Sequence, residues 1–320
     1  MKIIVTGGGG FLGSRVIQLL LDRKDAGASP VDFDSIVSLD LAPCPVADDR
    51  VSSVTGSIDD AALLNELVTD DTVGIFHLAA VLSGGSEEDF DLAMNVNVDG
   101  TRALLEAARR VKGTVRFVFT SSLAVFGGAM PAIVPESHGT QPESTYGTVK
   151  SIGELLVNEY SRKGFIDGRV CRLPTISVRP GKPNSAASSF ASGIIREPMN
   201  GVASTCPVPL ETVMWLSSPQ AAVANLVHAF ELDGASLGAW RVLNIPGLSV
   251  TVAQMLDALT EVGGSAAREL VSLSHDPKID AIVGSWPGNF DVTRTKALGF
   301  AADTDFVQIV QQYHDDFIAG

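Results

Sequence analysis

Tyr146 and Lys150 are the residues whose types and spacing most directly suggest chemistry in this chain of 320 residues. They stand four positions apart in the segment Ser-Thr-Tyr-Gly-Thr-Val-Lys, so on a helix the phenol and the ammonium lie on the same face. A neighbouring positive charge favours the phenolate and lowers the pKa of the tyrosine. One unit charge about 5 Å away, at an effective dielectric of about 20, contributes about 3 kcal/mol, or roughly two pKa units. The spacing therefore predicts a tyrosine that acts as a base.

A glycine-rich turn near the N-terminus predicts a partner for this base. Gly7, Gly10 and Gly13 follow the GxxGxxG spacing in Thr-Gly-Gly-Gly-Gly-Phe-Leu-Gly. The segment lies between a predicted strand and a predicted helix, where such glycines let the backbone and the helix N-terminus approach a pyrophosphate. Asp40 ends the second predicted strand, where a carboxylate accepts hydrogen bonds from ribose hydroxyls and repels a 2′-phosphate, which favours NAD over NADP. Together with the tyrosine and lysine, the turn predicts nicotinamide redox chemistry.

The elements that position these residues alternate between strand and helix. Apolar, β-branched runs predict strands at 2–6, 35–40, 51–55, 72–77, 116–121, 169–173 and 241–245. Helix-period patterns predict helices at 11–23, 59–67, 89–110, 146–162, 218–232 and 252–262. Residues 174–219 are rich in Pro, Ser, Ala and Gly and predict loops and short helices over the carboxyl ends of the strands, where ligands bind.

These patterns predict an α/β protein with a Rossmann doubly wound, mostly parallel sheet and a smaller mixed α/β substrate-binding region. The predicted division is an NAD-binding domain over residues 1–173 and a mainly substrate-binding region over residues 174–320. Segments within about 214–247 are expected to return to the first domain.

Composition excludes several other classes of partner. A net charge of −14 and a pI near 4.7 disfavour nucleic acid and anionic membranes, which carry the same sign. The three cysteines are widely spaced without a Cys-x-x-Cys, and the histidines are scattered, so neither a disulfide framework nor a metal site is predicted. The apolar stretches are shorter than a membrane span, and the N-terminus lacks a signal-peptide pattern. A cytoplasmic enzyme is expected.

In this order, the motifs resemble the extended short-chain dehydrogenase/reductase family over essentially the whole chain. Three further segments carry the resemblance: His77-Leu78-Ala79-Ala80, Asn97-Val98-Asp99-Gly100-Thr101, and the run from Phe119 to Gly127 that contains Ser121 and Ser122. The resemblance implies that Ser122 hydrogen-bonds the substrate hydroxyl, that Tyr146 removes its proton, and that Lys150 holds the nicotinamide ribose. Asn97 is implied to support a water near Lys150. Ser121 is the expected structural neighbour of the catalytic hydroxyl.

The resemblance also implies the NAD contacts. Besides Asn97, Tyr146 and Lys150, they are Gly7, Gly10, Phe11, Leu12, Gly13, Asp40, Ser57, Ile58, Leu78, Ala79, Ala80, Pro174, Thr175 and Ile176. The chain departs from the family pattern at Ser57, where Asp is frequent, and at Phe126, where Tyr is frequent.

A finer resemblance concerns the substrate. The run from Val178 to Asn184 and the segment Met214-Trp215-Leu216-Ser217 resemble family members that oxidise the 2-hydroxyl of a four-carbon sugar acid, D-erythronate, to 2-oxo-tetronate. An arginine suits the planar carboxylate of such a substrate, so Arg179 and then Arg196 are candidates, each of which can equally be a surface or intersubunit arginine. Ser83 is a candidate for a substrate hydroxyl, or a plain polar loop residue. Asn184, Trp215 and Ser217 are weaker candidates.

Other functions use the same residues. A nucleotide-sugar 4-epimerase shares Ser122, Tyr146 and Lys150 but regenerates its NAD, and an L-threonine 3-dehydrogenase takes a substrate that bears an ammonium. A dehydratase is disfavoured because Leu123 and Ala124 cannot serve as its acid and base. A non-enzymatic NAD-sensing regulator is the remaining alternative.

In the family, the helices predicted at 89–110 and 146–162 pair across a two-fold axis, which implies a homodimer.

Overall fold

A parallel sheet forms the centre of the protein in the computed structural model, which describes residues 1–183 and 186–319. Among these residues, seven strands lie in the order β10-β6-β5-β4-β1-β2-β3, with all neighbouring strands parallel. The strands are β1 (Lys2–Thr6), β2 (Ser35–Asp40), β3 (Val51–Thr55), β4 (Thr72–His77), β5 (Arg116–Ser122), β6 (Asp167–Leu173) and β10 (Val242–Asn244). The chain runs from β1 to one edge and then returns past β1 to the other edge. The prediction of a Rossmann doubly wound sheet is confirmed.

The central strands are apolar on both faces because helices cover both faces. Ile3, Ile4 and Val5 of β1 have no exposed surface, as expected for a parallel strand in the middle of such a sheet. On one side, β1 packs in a core that includes Leu20 of the helix α1 (Phe11–Asp25). The other side faces a core that includes Leu104 of the helix α5 (Thr101–Arg109). The strand ends between these layers are therefore held at fixed positions.

The sequence predicts most of the helices that pack on this sheet, but not the short helix at Ser83–Glu88. The helices are α1 (Phe11–Asp25), α2 (Ala61–Leu67), α3 (Ser83–Glu88), α4 (Phe90–Ala93), α5 (Thr101–Arg109), α6 (Thr145–Arg162) and α8 (Pro219–Glu231). The helix predicted at 89–110 contains a π-helical turn, Met94–Gly100, between α4 and α5. A short 3₁₀ helix, Leu123–Val125, follows β5.

The second half of the chain builds a smaller mixed region. Its strands are β7 (Thr175–Ile176), β8 (Ser204–Cys206), β9 (Val213–Ser217), β11 (Leu248–Thr251) and β12 (Val271–Leu273). Its helices are α7 (Ser189–Met199), α9 (Val252–Glu269), α10 (Pro277–Gly284), α11 (Thr293–Ala297) and α12 (Phe306–Phe317), and a 3₁₀ turn spans Gly234–Leu237. A separate core that includes Ile194, Met255 and Ile309 joins α7, α9 and α12.

The segment 174–219 is more regular than the sequence predicts. The strands β7, β8 and β9 lie in it together with the eleven-residue helix α7. The sequence pattern does not predict these strands because they are short and pair with strands far away in the sequence. The strand β8 pairs with β12, and β9 lies between β7 and β11. The strand β10 and the helix α8 pack on the large sheet. The division of the chain at residue 173 stays a prediction.

In the described part of the chain, no helix is both long enough and apolar enough to cross a membrane.

Candidate active site

A cavity of about 680 Å³ opens at the carboxyl ends of the central strands. It is lined by nearly all residues that the sequence singled out: Gly7, Gly10, Phe11, Leu12, Gly13, Asp40, Ser57, Ile58, Leu78, Ala79, Ala80, Ser83, Ser122, Tyr146, Lys150, Pro174, Thr175, Ile176 and Arg179. The structure thus brings together residues from both halves of the chain. The candidates among the described residues that do not line the cavity are Asn97, Arg196, Trp215 and Ser217.

The glycine turn between β1 and α1 is a cradle that side chains would fill. Gly7 has φ +74°, and a Cβ there would lie 2.8 Å from the backbone nitrogen of Ala79. A Cβ on Gly13 would lie 2.1 Å from the carbonyl oxygen of Gly7. The helix α1 starts at the N-cap Gly10, so its first backbone N–H groups face the cavity without a capping side chain. This arrangement fits the pyrophosphate of a dinucleotide.

Asp40 lies at the end of β2 beside this cradle. Its Oδ2 accepts a hydrogen bond from the backbone N–H of Gly9 at 3.1 Å, and its Oδ1 accepts one from Ala42 at 3.1 Å. A carboxylate offers about four lone-pair sites, so acceptor capacity remains for ribose hydroxyls. Leu41 follows Asp40 along the chain and also lines the cavity, with most of its side chain exposed.

Ser122 and Tyr146 meet where β5 ends and α6 begins. Ser122 Oγ accepts a hydrogen bond from Ala124 N at 3.2 Å and is also hydrogen-bonded to the Tyr146 side chain. The helix α6 packs closely on this turn, because a Cβ on Gly147 would lie 2.0 Å from the carbonyl oxygen of Ala124. The glycine after the tyrosine therefore allows the phenol to reach the serine.

Lys150 lies one helical turn after Tyr146, as the spacing predicts. Its ammonium donates to the carbonyl oxygen of Thr120 at 2.7 Å and lies 5.6 Å from the centre of the Tyr146 ring. The side chain is 3% exposed. Burial lowers the pKa of Lys150 to about 7, and the carboxylate of Glu154 acts in the opposite direction.

The sequence predicts that Lys150 lowers the pKa of Tyr146, but the net shift of that pKa in the folded chain is upward. Burial raises the pKa of Tyr146 to about 12, and the hydrogen bond with Ser122 opposes that rise. The physical reason is that low polarity around the ring penalises the phenolate, while the same burial weakens the hold of Lys150 on its own proton. A further positive charge beside the phenol is needed to bring its pKa towards neutrality.

Asn97 lies in the π-helical turn and does not face the cavity. Its Oδ1 accepts from Val81 N at 2.8 Å, and its Nδ2 donates to Val81 O at 3.0 Å. The side chain therefore holds the backbone that follows β4. Both ends of the side-chain amide are engaged by Val81, and the support of a water near Lys150 by Asn97 stays a prediction.

His77 connects this helix to the glycine turn. Its Nδ1 is 2.7 Å from Thr6 Oγ1, and its Nε2 is 2.8 Å from Thr101 Oγ1. Since Thr101 Oγ1 donates to the carbonyl oxygen of Asn97, it accepts from the imidazole, which assigns the proton to Nε2. Burial, and secondarily Lys150, lowers the pKa of His77 to about 3. His77 is thus a neutral link between β1 and α5.

The other end of the cavity is built by the segment after β7. Ser83 Oγ accepts from Ala187 N at 3.1 Å, which ties α3 to this segment. Arg179 lines the cavity, and its Nη2 donates to Lys182 O at 3.2 Å. Burial, with a smaller effect of Arg196, lowers the pKa of Arg179, but a guanidinium stays charged at neutral pH.

Arg196 lies behind Arg179 rather than in the cavity. Its Nη1 donates to the carbonyl oxygen of Arg179 at 2.8 Å, and its Nη2 donates to Glu197 at 2.5 Å. Trp215 and Ser217 are buried elsewhere, with Trp215 Nε1 donating to Ile245 O and Ser217 Oγ directed at Ser218 O. Asn184 lies outside the described residues.

Sequence reasoning missed several lining residues at this end. They are Ala186, Ser188, Ser189, Ser192 and Trp286. The serines follow Arg179 in a Ser- and Ala-rich run, which is a signal for a polar helix start near the site. Trp286 lies about a hundred residues further along the chain, and no spacing in the sequence points to it.

Comparison with known proteins gives consistent matches over the whole chain. A model of the NAD dependent epimerase/dehydratase family matches residues 3–213. The chain is 51% identical to a D-erythronate dehydrogenase of Cupriavidus necator over 99% of this chain and 98% of that protein. It is 46% identical to a D-erythronate dehydrogenase of Haemophilus influenzae over 98% of both chains. The crystal structure of a nucleoside-diphosphate-sugar epimerase from Agrobacterium tumefaciens superposes with a TM-score of 0.91 at 38% identity, covering 100% of this chain and 95% of that one.

Proposed function

We infer the reaction of this chain from its family: the chain belongs to the NAD dependent epimerase/dehydratase family. We propose that it is an NAD-dependent dehydrogenase that oxidises the 2-hydroxyl of D-erythronate to 2-oxo-tetronate. The observation that carries this proposal is the placement of Arg179 in the same cavity as Ser122, Tyr146 and Lys150. The two similar D-erythronate dehydrogenases support the choice of substrate.

NAD fits the end of the cavity formed by the glycine turn and Asp40. The uncapped start of α1 suits the pyrophosphate, and the Asp40 carboxylate suits the ribose hydroxyls. Leu41 and Ile58 provide apolar surface for the adenine, and residues 174–176 line the wall near Tyr146. When bound, NAD supplies the hydride acceptor and, in its oxidised form, a positive charge beside the phenol.

The residues of the chain move the proton. Ser122 donates to the substrate oxygen or accepts from it, which holds the 2-hydroxyl against Tyr146. Tyr146 takes the hydroxyl proton as the C2–H bond breaks, so the carbinol loses a proton and a hydride and becomes a ketone. Lys150 stabilises the phenolate electrostatically and would hold the nicotinamide ribose through its ammonium donors.

The charges at the Arg179 end favour a sugar acid over a nucleotide sugar. Among the described residues that line the cavity, Lys150 and Arg179 supply the positive charges, and Lys150 is assigned to the base. One guanidinium matches one carboxylate, whereas a nucleoside diphosphate carries two further phosphates. Ser83 and the serines near α7 provide hydroxyls for the remaining oxygens of a four-carbon substrate.

The test is a substrate panel with purified protein. NADH absorbance is followed with D-erythronate, L-threonate, L-threonine and a UDP-hexose, with NADP in place of NAD as the cofactor control. We expect preferential NADH formation with D-erythronate and NAD. Preferential turnover of L-threonine, or conversion of the UDP-hexose without net NADH, contradicts the proposal.

We also propose a homodimer that acts on carbohydrate in the cytoplasm. Phe90 on α4 and Leu155 on α6 are each 60% exposed, and these helices contact each other, which supports pairing of the apolar face with a second copy. The cysteines Cys44, Cys171 and Cys206 are free, which suits a reducing compartment. Light scattering of the wild type and of Leu155→Glu tests the dimer, and we expect the variant to have about half the mass.

A further inference from the structure

Glu154 on α6 and Arg172 on β6 form an ion pair behind the wall of the cavity. Arg172 Nε donates to Glu154 Oε1 at 2.8 Å, and Arg172 Nη2 donates to Glu154 Oε2 at 2.7 Å. Each side chain is 3% exposed. Removing two charges from water costs several kcal/mol per ion, and an apolar pair of similar volume is often at least as stable. Stability alone therefore gives a weak reason for this pair.

The pair reaches the catalytic strand through Ser121. Ser121 Oγ donates to Glu154 Oε1 at 2.5 Å. Ser121 directly precedes Ser122 at the end of β5, so fixing Ser121 to α6 fixes the backbone from which the Ser122 side chain projects. The carboxylate of Glu154 thus joins the strand that carries Ser122 to the helix that carries Tyr146.

The pair also determines the charge around Lys150. Glu154 lies one helical turn after Lys150, so the two side chains share a face of α6. Among the described residues, the charged or titratable groups that act on the Lys150 ammonium are Tyr146 and Glu154 on α6 and His77 on β4, and Arg172 lies beyond Glu154. Glu154 is the anion in this group, and its charge favours the ammonium form of Lys150. Arg172 limits that effect because it neutralises the same carboxylate.

We propose that Glu154, held by Arg172, is a positioning residue that aligns Ser122 with Tyr146 and keeps Lys150 in its ammonium form. The inference rests on the proposed roles of Ser122, Tyr146 and Lys150. Neither Glu154 nor Arg172 lines the cavity, so both act through these residues rather than on the substrate.

The first test is the pH profile of kcat/KM for D-erythronate in Glu154→Gln. Glutamine keeps the shape and a hydrogen-bond acceptor but removes the negative charge, so both Tyr146 and Lys150 should lose protons more easily. We expect the whole profile to move to lower pH by about one unit or more. The matched control is Glu159→Gln, which breaks an exposed pair with Arg162 on the same helix and should leave the profile unchanged.

The second test uses the opposite charge. Arg172→Met leaves the carboxylate uncompensated and should move the profile to higher pH, opposite to Glu154→Gln. A general loss of structure does not produce shifts of opposite sign. A shift in the same direction in both variants overturns the electrostatic role of the pair.

Ser121→Ala covers the case in which a charge variant does not fold. It removes one hydrogen bond and leaves every charge in place. We expect kcat to fall on the order of 10-fold through misplacement of Ser122, with no shift of the pH profile. Wild-type kcat in Ser121→Ala, or a wild-type pH profile in folded Glu154→Gln, overturns the proposal.

Failure of the inference on Glu154 and Arg172 can be distinguished from failure of the proposed function. Wild-type protein that does not turn over D-erythronate contradicts the proposed function. The titration of Lys150, observed by NMR with ¹³Cε-labelled lysine and assigned with Lys150→Met, still tests the ion pair without any substrate. There we expect a lower titration midpoint in Glu154→Gln than in wild type, and an equal midpoint overturns the inference.

Discussion

The cavity has two ends that are built from different parts of the chain. The end around Gly7, Gly13 and Asp40 is formed largely by backbone that packs too closely to admit a Cβ at either glycine. The end around Arg179 and Trp286 is formed by long side chains on segments that are far apart in the sequence. The first end has its shape fixed by a turn of a few residues, whereas the second depends on how α3, α7 and the segment after α10 pack together.

This difference separates cofactor binding, which a family shares, from substrate choice, which differs between its members. A backbone cradle accepts the same dinucleotide in any protein that forms the turn. A side-chain wall changes with each substitution, so substrate choice can vary while the cradle and the base stay the same. Changes at one end should therefore affect one ligand, and changes at Tyr146, between the ends, should affect the chemistry alone.

The largest effect is expected where the two ends meet. Tyr146→Phe removes the base but keeps the ring, so kcat should fall by about 10²–10⁴ or more, while NAD binding measured by calorimetry stays within a few-fold. The control is Tyr160→Phe, at a half-buried tyrosine that contacts Glu106 away from the cavity. Substantial turnover by Tyr146→Phe would refute the assignment of the base.

The next effect should be confined to the Arg179 end. Arg179→Gln removes a charge-assisted hydrogen bond to the substrate carboxylate, worth about 1.5–3 kcal/mol, so KM for D-erythronate should rise roughly 10- to 150-fold. The KM for NAD should not change. Lys182→Gln is the control, because Lys182 is an exposed cation in the same segment. An increase in the KM for NAD of similar size would remove the distinction between the two ends.

The matching change at the glycine end is Gly13→Ala. The added Cβ would lie 2.1 Å from Gly7 O, so the turn must shift, at a cost of about 1–3 kcal/mol in the free energy of unfolding. NAD affinity should fall with it, whereas the KM for D-erythronate at saturating NAD should change little. Gly113→Ala is the matched control, since a Cβ there meets no atom within 4 Å. Unchanged NAD affinity in Gly13→Ala would show that the cradle does not hold the cofactor.

The smallest effect concerns the link from the glycine turn to α5. The folded protein holds His77 neutral, with its pKa lowered to about 3, whereas the unfolded chain binds a proton below about pH 6.5. The contribution of His77 to the free energy of unfolding is therefore fully present above about pH 6.5. It is lost as the pH falls, at about 1.4 kcal/mol per pH unit.

Urea denaturation at pH 6, 5 and 4 measures this slope. We expect a shallower decline in His77→Asn than in wild type. His275→Asn changes an exposed histidine paired with Asp280 and should leave the slope as in wild type. Equal slopes in wild type and His77→Asn would contradict the buried, neutral imidazole.

The same contrast explains which features could be predicted from the sequence. The strands β1 to β4 have the predicted bounds. The strands β1, β2 and β4 are largely buried apolar runs that end at turn residues, whereas β3 is a more exposed strand at the edge of the sheet. The glycine turn and the spacing of Tyr146 and Lys150 are local patterns, so the sequence places them together in the cavity.

What the sequence did not predict depends on packing. The raised pKa of Tyr146 reflects burial, which no spacing of residues reveals. Asn97 lies in a π-helical turn and hydrogen-bonds to Val81, and Trp286 reaches the cavity from a distant segment. The pairing of β8 with β12 is similarly nonlocal. These features need the folded chain.

The most direct measurement of the central claim uses D-erythronate that carries deuterium at carbon 2. The account predicts that the purified enzyme with NAD forms NADH containing one deuterium on its nicotinamide ring, as measured by mass spectrometry, together with an unlabelled 2-oxo acid. NADH without deuterium would show that the hydride comes from another carbon and would contradict oxidation of the 2-hydroxyl.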